Sequence, residues 1–331
     1  MPGSTQVPGL RFRRFQGDAD YAAIAAVIKG STKEDGIERA HSAGDVARYY
    51  QHLTNCDPFR DMLFVETDGQ VRGYSRVWWQ QQPDGERFYR HLAFLVPELR
   101  GKGIRQSMLQ HNEQRLREIG CAHPPGEPKQ FESWAADTEV DWGSLLAGAG
   151  YKEVRYGFEM VRPDLEEIPD LPLPRGLEVR PVGPDQYRAV WEAAEEAFRD
   201  EWGYTEDEWT EDQFQGFVGQ RTFMPELWQV AWDGDEIAGM VLNFVNAEEN
   251  REYERQRGYT ETICVRRPWR QRGLARALIA RSFSLLKKLG MTEAALGVDA
   301  QNPNGALALY KSMGFRAVRR VTTYRKPLDS A

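Results

Sequence analysis

The sequence of 331 residues contains few of the side chains that bind metals or form disulfides. Its three cysteines, Cys56, Cys121 and Cys264, are odd in number, far apart and without a CxxC pair. This pattern argues against a disulfide framework or a zinc site and is typical of a reducing cytosol. We therefore expect a cytoplasmic protein that uses no metal. All five histidines lie within the first 123 residues, so the second half has no histidine base.

Long apolar runs and excess positive charge are also missing. No stretch approaches the ~20 apolar residues that a membrane span requires, and the first residues lack the apolar core of a signal peptide. A formal net charge of −7 argues against a nucleic-acid partner, although it leaves room for a local basic site for a small anion. We expect no membrane and no nucleic acid as partners, and a monomer or a homodimer.

An internal repeat organises the chain. The stretch "DMLFVETDGQVRGYSRVWW" resembles "ELWQVAWDGDEIAGMVLNFV", and both predict a hairpin that turns at Asp-Gly. Four glycine pairs match in order at separations of 164 to 170 residues: Gly9 with Gly176, Gly73 with Gly239, Gly103 with Gly273, and Gly150 with Gly314. The chain therefore contains two copies of one α/β domain.

The copies are joined by the proline-rich segment "RPDLEEIPDLPLPRG", which favours an extended connector. We predict an N-terminal domain over residues 1–162, a linker over 163–175 and a C-terminal domain over 176–331. Within each copy the order is strand, helices, three strands, helix, strand, helix, strand. A length of 331 residues agrees with two hydrophobic cores rather than one.

A basic cluster in the second copy lies where a strand passes into a helix. "YTETICV" alternates as a strand, Pro268 ends it, and helical spacing begins at Gly273. The free N–H groups and the helix dipole at this helix start favour a phosphate, and the small Gly273 and Ala275 allow its close approach. The alternative is an ordinary solvated basic turn.

The cluster resembles a motif of the GNAT superfamily of N-acetyltransferases. Arg270-Gln271-Arg272-Gly273-Leu274-Ala275 matches the acyl-CoA-binding pattern [QR]-x-x-G-x-[GA]. A second element of the family follows in "VDAQNPNGALALYKSMGF", where the matching residues are Asn302, Ala306, Leu309, Tyr310, Gly314 and Phe315. Together with the repeat, these motifs identify the chain as a tandem GNAT protein that is similar in architecture to mycothiol synthase. This similarity does not assign the substrate of the chain.

The resemblance implies a mixed, mostly antiparallel sheet flanked by helices in each domain, and acetyl transfer from acetyl-CoA to an amine. It also implies which residues bind the coenzyme. The pantetheine arm would be bound by the main chain of Ile263, Cys264 and Val265. The pyrophosphate would be held by the loop and helix start that comprise Arg270, Gln271, Arg272, Gly273, Leu274, Ala275 and Arg276. Asn302 would contact the coenzyme further along.

Two side chains are candidates for proton transfer. Tyr310 matches the general acid of the family, which assists the departing thiolate; the alternative is a core tyrosine on an amphipathic helix. Glu261 is the best candidate for the base, because an ammonium group cannot attack and this half lacks histidine. The alternative for Glu261 is an ordinary charge at a strand end.

The acceptor is expected to be a small-molecule amine, and the segment 198–217 favours a cationic one. Seven acids alternate there with aromatic residues, which would attract a cation, although such a segment can also be a solvated face.

The first copy departs from the pattern of the second at two positions: it has Arg105 where the second has Ala275, and Leu146 where the second has Tyr310. We therefore expect the first copy to perform no acetyl transfer.

The sequence leaves two other functions open. One is a non-catalytic CoA-binding or interaction protein, which Tyr310 and the intact loop disfavour. The other is a tandem-type aminoacyl transferase that uses charged tRNA, which the net negative charge and the CoA loop disfavour.

Overall fold

The computed structural model describes residues 7–38 and 42–328. The chain forms two compact units. Unit 1 comprises Met1–Arg155, Thr205–Asp212 and Val321–Ala331, and unit 2 comprises Tyr156–Tyr204 and Gln213–Arg320. Across the described residues, no helix is both long and apolar enough to cross a bilayer.

The helices and strands of the first copy precede the linker. They are β1 (Arg11–Arg13), α1 (Ala19–Glu34), α2 (Ala43–Tyr50), α3 (Pro58–Asp61), β2 (Met62–Thr67), β3 (Gln70–Gln81), β4 (Arg87–Leu95), α4 (Ile104–Cys121), β5 (Lys129–Ala136), α5 (Val140–Gly148) and β6 (Lys152–Arg162). Asp68 and Gly69 form the turn between β2 and β3 with positive φ angles, as the Asp-Gly pattern predicts.

The second copy repeats this order after the linker. Its elements are β7 (Glu178–Val179), α6 (Tyr187–Phe198), α7 (Glu211–Val218), β8 (Gln229–Asp233), β9 (Glu236–Phe244), α8 (Ala247–Glu252), β10 (Arg257–Val265), α9 (Leu274–Lys288), β11 (Glu293–Asp299), α10 (Ala306–Ser312) and β12 (Arg316–Pro327).

Each unit has a mixed, mostly antiparallel sheet flanked by helices, which confirms the predicted fold class. In unit 2, β7, β8, β9 and β10 pair antiparallel in that order, and β11 lies parallel to β10. Unit 1 repeats the arrangement with β1 to β5. Helices α6 and α9 pack on the sheet of unit 2, and α1 and α4 pack on that of unit 1.

The last strand of each copy completes the sheet of the other. Residues 157–162 of β6 pair antiparallel with β11 in unit 2, and residues 321–327 of β12 pair antiparallel with β5 in unit 1. Met160 is fully buried in the core of unit 2, and Nη1 of Arg162 donates to the carbonyl of Met313 (2.6 Å). The units therefore differ from the predicted division at 1–162, 163–175 and 176–331. Sequence similarity locates a repeat, whereas hydrogen bonding determines which sheet a strand joins.

The core of unit 2 holds α9 tightly against the sheet. Leu278, Phe283 and Leu286 of this helix are fully buried. Gly258 of β10 lies directly beneath Leu286, and a Cβ at this position would lie 2.4 Å from the Leu286 side chain. The close packing fixes the start of α9 relative to the end of β10.

Candidate active site

A cleft opens in the sheet of unit 2 because β10 and β11 separate. The parallel pairing extends only from Arg257 to Tyr259, and β11 then continues alone beside β6. The pairing of β10 with β9 also shifts register between Glu261 and Cys264, where Thr262 has a φ of 48°. This bulge turns the end of β10 away from the regular ladder, so its main-chain groups border the cleft.

The cleft forms a cavity of about 530 Å³, which lies in the size range of small-molecule sites. Most residues predicted to bind the coenzyme or transfer protons line it. They are Glu261, Ile263, Cys264, Val265, Arg270, Gln271, Gly273, Leu274, Ala275, Arg276, Asn302 and Tyr310. Arg272 is not among the lining residues, although it lies in the same loop.

The N-terminus of α9 faces this cavity and fits an anionic group. Gly273 precedes the helix with a φ of 85°, and Gln271 has a φ of 61°, so the main chain turns sharply into a helix of fifteen residues. Among the described residues, nothing lies within 4 Å of the position of a Cβ on Gly273. The first N–H groups and the positive helix end therefore provide a place for a diphosphate such as that of CoA.

Three arginines of the basic cluster hold the loop in place through contacts within unit 2. Arg270 donates from Nε to the carbonyl of Val265 (2.9 Å), from Nη1 to Asp200 (3.0 Å) and from Nη2 to the carbonyl of Ala197 (3.2 Å). Arg267 also pairs with Asp200 and Arg266 with Glu196, and the hydrogen bonds from Arg267 and Arg270 lower the pKa of Asp200 to about 2. These contacts fasten the loop to α6.

Unit 1 contains the same clamp. Arg100 donates to the carbonyls of Leu95 (3.3 Å) and Ser31 (3.0 Å) and pairs with Asp35 (2.6 Å). Because the clamp is present in both copies, we attribute it to the fold, and the binding of pyrophosphate at Arg270 stays a prediction. Within the described residues Arg272 and Arg276 have no ion pair, and Arg276 lines the cavity.

Glu261 lies at the wall of the cavity. Its Oε1 accepts a hydrogen bond from the backbone N–H of Gly297 (3.2 Å). Burial raises the pKa of Glu261 to about 7, the hydrogen bond from Gly297 opposes this shift, and the charge of Glu159 adds to it. A carboxylate in this state is a stronger base than an exposed glutamate and is ionised above about pH 7.

Tyr310 lies on α10 with its ring buried between the cavity and the core. Its ring meets Phe315 edge to face at 6.1 Å, and among the described residues its hydroxyl makes no hydrogen bond. Burial, followed by the negative charges of Glu261 and Glu201, raises the pKa of the Tyr310 hydroxyl. The hydroxyl therefore stays protonated and available as a donor.

The predicted acceptor segment 198–217 is divided between two places. Phe198 and Glu201 line the cavity, where Glu201 accepts a hydrogen bond from Nδ2 of Asn302 (2.9 Å). Asp207 and Glu208 instead belong to unit 1 and accept hydrogen bonds from Asn55 (3.2 Å) and Gln80 (3.0 Å). The alternation of acids and aromatic residues could suggest Glu201, but no pattern in the sequence indicates this division.

In unit 1, larger or apolar side chains stand at positions that correspond to lining residues of the cavity in unit 2. Arg105 is buried, donates to the carbonyl of Ala93 (3.0 Å) and lies 4.5 Å from the ring of Trp142, which stands where unit 2 has Ala306. Leu146 is fully buried at the position of Tyr310. Strand β4 pairs with β3 without a register shift and so lacks the bulge of β10.

Comparison with known proteins agrees with this geometry. The model of the acetyltransferase (GNAT) family matches residues 187–315. A mycothiol acetyltransferase of Streptomyces bingchenggensis is 32% identical over 273 residues, which cover 80% of this chain and 80% of that protein. The chain belongs to the GNAT acetyltransferase family. Another mycothiol acetyltransferase, from Geodermatophilus obscurus, is 25% identical to this GNAT chain over 304 residues, or 90% of this chain and 91% of that one.

The crystal structure of a GCN5-related N-acetyltransferase from Sphaerobacter thermophilus is similar to this GNAT protein along its length. The TM-score is 0.71 at 27% identity, with 99% of this chain and 98% of that chain covered. These findings confirm the tandem GNAT type and an acetyltransferase enzyme. GNAT acetyltransferases use acetyl-CoA as cosubstrate, and the described residues contain no group of three or more His, Cys, Asp or Glu arranged to hold a metal ion.

Proposed function

We propose that unit 2 transfers the acetyl group of acetyl-CoA to the primary amine of a small molecule, by direct attack within a ternary complex. The observation that carries this proposal is one cavity that joins the N-terminus of α9 to Glu261 and Tyr310. The helix start supports binding of the diphosphate, and the two side chains support proton transfer within the same cavity.

Each side chain has one task in this proposal. Bound acetyl-CoA supplies an activated acetyl thioester. Glu261 accepts the proton that the amine loses as its nitrogen bonds to the acetyl carbon. Tyr310 donates a hydrogen bond, and finally a proton, to the sulfur as the carbon–sulfur bond breaks, and it regains a proton from solvent. The proton on Glu261 also leaves to solvent, which restores both groups.

The electrostatics of the cavity favour these tasks. A protonated amine has no lone pair, and a base works best when its pKa lies near the working pH. Glu261 meets this condition with a pKa of about 7. Glu201 adds negative charge to the cavity, which supports a cationic acceptor.

Unit 1 is proposed to take no direct part in binding acetyl-CoA or in the chemistry. Arg105 and Trp142 are buried at the positions that correspond to Ala275 and Ala306 of the cavity lining in unit 2, and Leu146 cannot donate a proton. A cytoplasmic location and a monomeric or dimeric state, with neither membrane nor nucleic acid as a partner, complete the proposal.

Thiol release from acetyl-CoA in the presence of a panel of amines tests the proposal. The panel includes the amine whose acetylation gives mycothiol, because two relatives have the name mycothiol acetyltransferase. We expect amine-dependent release of CoA and an acetylated product by mass spectrometry. Binding of acetyl-CoA with no turnover for any amine would favour a non-catalytic CoA-binding protein instead.

Replacing Tyr310 with Phe is expected to lower kcat by about 10–100-fold. The variant keeps the buried ring and its contact with Phe315, and it removes only the hydroxyl that stabilises the departing sulfur. Steady-state rates measured from pH 6 to 9 check this. A rate within about twofold of wild type throughout would remove Tyr310 from the mechanism.

A further inference from the structure

A row of residues crosses three neighbouring strands of unit 2 beside the candidate base. Glu261 on β10 accepts from the N–H of Gly297 on β11 (3.2 Å), and Gly297 pairs with Glu159 on β6. Residues opposite one another in neighbouring strands point to the same face of a sheet. Glu261 and Glu159 therefore share a face.

No side chain of β11 separates these two carboxylates. The residue between them is Gly297, and a Cβ built on it would meet nothing within 4 Å among the described residues. Paired strands lie about 4.8 Å apart, so Glu159 lies one strand from Gly297, and Glu261 reaches the N–H of Gly297 across the point where β10 and β11 separate. The charge of Glu159 raises the pKa of Glu261, so the two carboxylates are close enough to interact through the protein.

Glu159 also has a counterion. Arg319 of β12 forms an ion pair with Glu159, and the side chains of Arg319 and Glu159 are 12% and 40% exposed. Removing either member would thus change the net charge near Glu261 by one unit, with opposite signs. Glu159 is the member of this pair that the first copy contributes, because it precedes the linker, whereas Arg319 belongs to the second copy.

The other groups near the base come from different elements. Tyr310 of α10 lies close enough to Glu261 for the charge of Glu261 to raise its pKa, Cys264 lies on the same strand as Glu261, and Glu201, which follows α6, also lines the cavity. Glu159 acts in the same direction as burial in raising the pKa of Glu261, against the hydrogen bond from Gly297.

We propose that Glu159 is a positioning residue for acetyl transfer, whose charge, balanced by Arg319, sets the pH range in which Glu261 accepts the proton of the amine. The inference rests on the proposed function for the role of Glu261 as base. It gives the strand exchange a functional consequence, since β6 brings a charge of the first copy to the site in the second.

Carbon-13 NMR of the glutamate carboxyl groups tests this in the full-length protein without acetyl-CoA or amine. The Glu261 signal is assigned by its loss in Glu261→Gln. We expect Glu159→Gln to lower the midpoint of the Glu261 titration by about half a pH unit, and Arg319→Met to raise it by a similar amount. The double variant should return close to wild type, and 1 M salt should shrink both shifts.

Damage to the fold cannot mimic this result, because loosening the sheet would move both midpoints in the same direction. Unchanged midpoints, or shifts of the same sign, overturn the inference. The pH profile of kcat/KM should move with the NMR midpoint in each variant. If no amine is acetylated while the two midpoints move oppositely, the proposed function fails and the electrostatic coupling stands, so the two failures are distinguishable.

Discussion

Replacing Glu261 with Gln is expected to lower kcat/KM for acetyl transfer by about 10²–10³-fold and to leave acetyl-CoA binding within about twofold of wild type. The amide oxygen can still accept the hydrogen bond from Gly297, so the local structure is retained. The amide cannot take a proton from the amine at any pH used in an assay. The loss therefore falls on the chemical step.

The pH dependence gives this prediction a sign. The carboxylate form of Glu261 is the active form, and with a pKa of about 7 it forms as the pH rises through 7. Wild-type kcat/KM should climb through this range and then level off, and the Gln variant should lose the climb. Glu236→Gln, a change at an exposed position at the start of β9, serves as the matched control and should behave as wild type. Retained activity with an unchanged profile would contradict the role of Glu261.

Replacing Ala275 with Arg is expected to weaken acetyl-CoA binding by at least about 100-fold. At the corresponding position of unit 1, Arg105 is buried, donates to the carbonyl of Ala93 and lies over the ring of Trp142. An arginine in the same conformation at position 275 would enter the cavity that Ala275 lines. Arginine is a strong helix former, so α9 should remain intact.

Calorimetry with the full-length protein measures this loss. Ala275→Ser changes the same position by one oxygen atom and should bind acetyl-CoA within about threefold of wild type. Thermal unfolding of all three proteins shows whether the fold is retained. An Arg variant that is folded and binds as wild type would mean that the coenzyme lies elsewhere.

The shape of the loop before α9, which we propose binds the coenzyme, was predictable from the sequence because it depends on main-chain geometry. A chain that must turn sharply into a helix, with space for a ligand, requires glycine, and Gly273 shows this in a short pattern. Tyr310 and Glu261 also reach the cavity as predicted, since register along a strand and spacing along a helix fix their faces.

The remaining features depend on long-range contacts. Four arginines close together in the sequence indicate an anion, but Arg266, Arg267 and Arg270 meet acids of and after α6 about seventy positions away. The same holds for the exchange of β6 and β12. Both are decided by which partner lies nearby in three dimensions, and local periodicity carries no information about that.

The hydrogen bond from Gly297 to Glu261 could not be predicted from the sequence either. It occurs inside an ordinary strand pattern, and only the separation of β10 from β11 shows that its N–H holds Glu261. The division of segment 198–217 has a similar origin, because Asp207 and Glu208 find their partners in unit 1. In both cases the sequence gives the residue type but does not indicate which residue it contacts in the fold.

The number of acetyl-CoA molecules that one chain binds tests the central claim most directly. Titration calorimetry of the wild-type protein and of Ala275→Arg is the measurement. The account predicts one molecule per wild-type chain and no detectable binding to the variant. Two molecules per chain, or one that persists in the folded variant, would contradict the claim that the open cleft of unit 2 alone holds the coenzyme.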